Sequence, residues 1–123
     1  MELSKRAIMQ RINDLEDDYN RQTRLLEDRM EEVQEANHQF SKMLDDKAER
    51  LRFIVSNYDP EAIPPLSYGY NMLSQAQDEV SYIVRKELST LEEQNEEVDA
   101  QYRKDVARLE EDLLRKDREG EAN

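Results

Sequence analysis

All three prolines of the chain, Pro60, Pro64 and Pro65, lie in one short stretch, and the only glycine before Gly120 follows at Gly69. Proline lacks an amide donor and drives the residue before it out of the helical region. Asp59 and Ile63 are therefore expected to be non-helical. Before this cluster, and again from Gly69 to Gly120, there is neither proline nor glycine, and the good helix formers Glu, Lys, Arg, Gln, Leu and Ala predominate. One helix must stop at the cluster and a second must start after it. The expected fold is all-α: two long antiparallel helices forming a coiled-coil-like helical hairpin with a proline-containing turn. Helix one should cover about 3–58, the turn about 59–67 and helix two about 68–119, as a single hairpin over 1–123.

The apolar pattern supports two helices. In the first arm Ile12, Tyr19, Leu26, Val33 and Phe40 recur every seven residues, with Ile8, Leu15, Gln22, Arg29, Ala36 and Met43 between them. The stripe then steps to Leu44, Ala48, Leu51, Val55 and Tyr58, a slip that returns the period toward 3.6. Ser4 is the expected N-cap, with Leu3 and Ile8 as a hydrophobic staple. In the second arm the stripe runs Leu66, Tyr70, Leu73, Gln77, Val80, Val84, Leu88, Leu91, Asn95, Val98, Tyr102, Val106, Leu109 and Leu113. Pro65 or Ser67 can open this helix and Gly120 can close it. Arms of equal reach place Ile12 opposite Leu113 and Leu26 opposite Val98 or Tyr102, with Asn95 near Arg29 and Val33.

A chain with a mean hydropathy of −1.07 and 39% charged residues has too little apolar material for a thick core, so the seam must be thin. The formal charge of −12 disfavours nucleic acid and anionic membrane, where Lys and Arg lead binding. No apolar run is long enough for membrane insertion, and Met1 to Arg6 has no apolar stretch behind it of the kind a secretory signal needs. The expected location is the cytoplasm, with co-export without a cleavable signal peptide as an added option. Without cysteine there is neither a disulfide nor a thiolate metal site.

Chemistry has little to work with. The single histidine, His38, lies between Asn37 and Gln39 and reads as solvated. Adjacent acids such as Glu92-Glu93 and Glu96-Glu97 diverge by about 100° on a helix and do not converge on a substrate. The expectation is no enzyme, no cofactor and no metal. What departs from the single stripe is the hinge-proximal quarter. Phe53 points away from Leu51, while Tyr68, Met72 and Ile83 share a face outside the seam. These four are the candidate partner-binding residues. The opposing reading has the turn, through Ile63 and Leu66, folding back to cover them.

An acidic helix–turn–helix of this length, with Ser67-Tyr68-Gly69-Tyr70 at the hinge, resembles the small helical-hairpin proteins of bacterial type VII secretion. These comprise the WXG-like proteins and, closer in length and charge, the LXG-associated alpha-helical (Lap-type) proteins. The family's export signal is an aromatic residue followed four positions later by an acid; here Val106 follows Tyr102 and Leu44 follows Phe40. The resemblance therefore implies the partner type that assists export without carrying the signal. Such an adaptor, targeting or chaperone-like factor would bind the helical N-terminal domain of an LXG toxin, with room for a second small helical protein. The alternative is a self-associating coiled-coil scaffold or spacer, a homo-oligomer.

Overall fold

The structure, a computed structural model, describes residues 4–57 and 66–122. They form two helices, α1 (Lys5–Asn57) and α2 (Leu66–Ala122), which pack against each other as an all-α helical hairpin. The three prolines, Ile63, Tyr58 and the Leu3 staple lie outside the described residues, as does the side chain of Leu66. By the clustering of their contacts the residues divide into two compact units. One is Met1–Asp28 with Leu91–Asn123; the other is Arg29–Thr90.

Local chemistry sets the helix ends. Ser4 caps α1: its Oγ accepts a hydrogen bond from the Ala7 amide at 3.1 Å, and its carbonyl accepts the first helical bond from Ile8 at 3.0 Å. At the other end the Asn57 side-chain amide and the Ser56 hydroxyl both donate back to the Phe53 carbonyl in the last turn of α1, at 2.7 and 2.9 Å. Gly120 does not close α2, which continues to Ala122. No described glycine takes a positive φ, so the left-handed cap that would have used Gly120 is absent.

The seam of α1 consists of Ile8, Ile12, Leu15, Tyr19, Thr23, Leu26, Met30, Val33, Asn37, Phe40, Leu44, Ala48, Leu51 and Val55, all buried or half-buried. Gln22, Arg29, Ala36 and Met43, expected between the heptad positions, are exposed instead. Thr23, Met30 and Asn37 take the places of the first three, and Leu44, expected in the stripe, is buried where Met43 is not. The cause is a second slip, Leu15-Tyr19-Thr23, besides the one at Phe40-Leu44-Ala48. With both, the mean step is about 3.6 residues, the period of an α-helix without supercoil. In α2 every expected seam residue from Tyr70 to Leu113 is buried or half-buried. Among the described residues Ile8, Leu44, Leu91 and Leu109 are the buried apolar ones.

The register differs from equal arms by roughly five residues, more than one turn. In the first unit Lys5 pairs with Asp117, and Tyr19 meets both Tyr102 and Asp99. Ile12 thus comes to the level of Leu109, and Leu26 to that of Asn95. In the Arg29–Thr90 unit Arg29 pairs with Glu32 and Glu87, Ser41 accepts from Gln77, and Arg52 donates to Tyr70. Leu51 packs so closely on Gly69 that a Cβ there would lie 2.6 Å from Leu51 Cδ2. Meeting side chains, not the position of the prolines in the sequence, fix this register.

Three substitutions test the seam. Leu91→Asp, or Val33→Asp, puts an unpaired charge in the seam and should lower stability by about 3 kcal/mol or more. Asn37 Oδ1 is buried without a hydrogen-bond partner. Asn37→Leu should therefore raise stability by about 1 kcal/mol. Urea denaturation followed by circular dichroism measures both.

Candidate functional site

Two features stand out from a uniformly charged surface, one in each unit. In the first unit it is the tyrosine pair. Residues four before and four after a given position lie about 40° to either side of it, so the middle of a double four-residue step points straight out of the stripe. Tyr19 holds that place between Leu15 and Thr23, and Tyr102 between Val98 and Val106. The two rings stack with centroids 4.3 Å apart and planes 14° from parallel.

The Tyr19 hydroxyl donates to Asp99 Oδ1 at 2.8 Å, and Asp99 is held from the other side by Arg103 at 3.1 Å. The bond to Asp99 raises the Tyr19 pKa above its ordinary 10.0, helped by partial desolvation and the Asp99 charge. The Thr23 hydroxyl, near it but outside hydrogen-bond geometry, and the Arg103 charge pull weakly the other way. Beside the rings runs an open groove of about 400 Å³, edged by Asp18, Glu97 and Asp105. Among the described residues no group of three or more acids or histidines is placed to hold a metal ion. His38 is exposed.

The second feature is apolar. Of the ten exposed large apolar side chains among the described residues, seven belong to the Arg29–Thr90 unit: Met43, Phe53, Ile54, Tyr68, Met72, Tyr82 and Ile83. The four expected candidates are all well exposed, Phe53 and Tyr68 at 66%, Met72 at 57% and Ile83 at 62%. They do not form one patch. Phe53 lies about 200° round α1 from Leu51 and so occupies the back of that helix. Tyr68, Met72 and Ile83 lie on α2.

Contacts between the helices define the two sides of this unit. Arg29–Glu87 and Leu51–Gly69 meet on one side; Ser41–Gln77 and Arg52–Tyr70 meet on the other. At about 100° per residue, Met43 and Ile54 of α1, and Met72 and Ile83 of α2, all fall within about 60° of the Arg29–Glu87 side. Together they make an apolar strip, while Tyr68 and Tyr82 lie further round, on the back of α2. Ile54 and Met43 are not among the expected candidates: the heptad places Met43 in the seam, although the slip after Phe40, which the stripe through Leu44 already shows, turns Met43 out.

No protein-family model, curated protein or solved structure matches this chain. No described helix is long and apolar enough to cross a membrane.

The tyrosine pair has a measurable signature. Folding favours the neutral phenol, so the stabilisation it brings is complete below pH 10 and is lost as pH rises through the raised value. Ultraviolet titration should find one tyrosine ionising later than the rest, and Asp99→Asn should return it toward the ordinary value.

Proposed function

We propose that this chain is a non-enzymatic adaptor whose Arg29–Thr90 unit docks on the helices of another protein. One observation carries the reading. The seam between α1 and α2 is already filled, yet large apolar side chains of this unit remain 43% to 66% exposed. A packed two-helix layer offers two ways to cover such residues, a further helix or a further layer. The partner class follows from the resemblance: the helical N-terminal domain of an LXG-type toxin, assisted on its way to type VII export from the cytoplasm by a chain that carries no signal of its own.

Self-association as a scaffold is the second reading, favoured by Phe53 and Tyr68 on opposite backs of the hairpin, where a single partner helix covers only one. Light scattering of the isolated chain separates the two, since a scaffold forms a tight oligomer by itself and an adaptor is monomeric at micromolar concentration. Co-expression with the helical N-terminal domain of an LXG toxin should give a stable complex. Met72→Asp should abolish it while helix content by circular dichroism stays unchanged. Absence of a complex removes the toxin as partner.

A further inference from the structure

One-electron oxidation is a chemistry this chain leaves to its tyrosines. The sequence has neither cysteine nor tryptophan. Methionine reacts with peroxide by taking up oxygen, a two-electron step, so single electrons come from the phenols. The described tyrosines are not equivalent in this respect. Tyr68 and Tyr82 stand exposed, and Tyr70 accepts a hydrogen bond at 3.1 Å from Arg52, a cation that opposes loss of an electron from the ring. Tyr19 is placed the opposite way: its hydroxyl donates to the Asp99 carboxylate at 2.8 Å and its ring lies on a second phenol.

A phenol that loses an electron becomes a strong acid and must also lose its proton, so a base held within hydrogen-bond reach eases the step. Asp99 Oδ1 is such a base for Tyr19. Its other oxygen, Oδ2, is held by Arg103 at 3.1 Å, which fixes the carboxylate against the phenol. The Asp99 side chain is 34% exposed, so water can take the proton onward.

The stack supplies the second reactant. Ring centroids 4.3 Å apart, with planes 14° from parallel, hold the two phenols together as neighbours poised to combine. Joining them requires the rings to slide and tilt, not the helices to separate. Both tyrosines are half-buried and the open groove of about 400 Å³ runs beside them, so a small oxidant reaches them in the folded chain. Asp18, Glu97 and Asp105 along that groove favour a neutral or cationic oxidant over an anionic one.

We propose that Tyr19 and Tyr102 form a site of oxidative cross-linking, at which a small one-electron oxidant joins the two rings as a dityrosine and Asp99 receives the Tyr19 proton. Each ring gives one electron to an oxidant molecule and its phenolic proton to a base, Asp99 for Tyr19 and water for Tyr102. The two phenoxyl radicals join through one bond between carbons ortho to the oxygens. The hydrogens on those carbons then shift to the oxygens and restore both phenols. Two electrons and two protons leave in all, and two oxidant molecules are each reduced by one electron. The product staples α1 to α2 within the first unit, whatever the second unit docks on.

The test irradiates the full chain at micromolar concentration with tris(bipyridine)ruthenium, a cationic photo-oxidant, and a cobalt(III) ammine as electron sink. Dityrosine fluorescence, gel mobility and mass spectrometry of the linked peptides are the readouts. The folded chain should form an intrachain Tyr19–Tyr102 link at least about tenfold faster than the chain in urea, where the rings are no longer held together. Tyr102→Phe keeps a ring in the stack and should remove the link, whereas Tyr82→Phe should leave it. Asp99→Asn should slow it about fivefold or more, and added acetate, a replacement base, should recover the rate, which a loss of packing would not allow. The linked product should unfold about 10 °C or more above the untreated chain.

No dityrosine, links mainly between chains, or a dominant link that spares Tyr19 or Tyr102 overturns the inference. So does an equal rate in urea, an Asp99→Asn chain as fast as the parent, a loss that acetate leaves in place, or a linked product that melts with the parent.

Discussion

Everything in this hairpin depends on two apolar stripes that must cover each other because neither helix has any other place to hide them. Each stripe is one residue wide at every turn, and the buried apolar residues among those described are the isolated Ile8, Leu44, Leu91 and Leu109. The rest of the seam stays half exposed. Such a seam gains little per turn and depends on continuity, so its period matters more than the size of any one side chain. With a mean step of about 3.6 residues the stripe stays on one side of a helix without supercoiling.

The slips that keep this period also place the distinctive side chains. Where two four-residue steps meet, the middle side chain has no neighbour to share the interface with and aims at the opposite helix. That is why Tyr19 and Tyr102 stack face to face and why the Tyr19 hydroxyl reaches Asp99. Where the step falls later in α1 it buries Leu44 and turns Met43 out, beside Ile54. One displacement thus fills the seam and builds part of the apolar strip. Surface ion pairs such as Arg21–Asp18 and Arg115–Asp112 decorate the helices but contribute at most about 1 kcal/mol each.

The same geometry links fold to function. The seam is filled, yet seven of the ten exposed large apolar side chains among the described residues belong to one unit. Met43 and Ile54 of α1 and Met72 and Ile83 of α2 fall on the same side of this unit, so the strip draws on both helices.

The sequence by itself determined the element count, the helix boundaries to within a few residues, the Ser4 cap and the α2 stripe from Tyr70 to Leu113, because proline chemistry, capping and helical period act locally. It also marked Phe53, Tyr68, Met72 and Ile83 as apolar residues outside the seam. Tertiary structure decided what local rules leave free. Sliding one helix along the other by a turn leaves each stripe intact, so register came from Tyr19 on Tyr102 and Leu51 on Gly69. Rotating a helix by part of a turn exchanges adjacent positions, so Thr23, Met30 and Asn37 entered the seam while Gln22, Arg29, Ala36 and Met43 left it. Whether exposed residues of different helices share a side depends on both helices at once, and so Met43 and Ile54 of α1 came beside Met72 and Ile83 of α2 only in the packed pair.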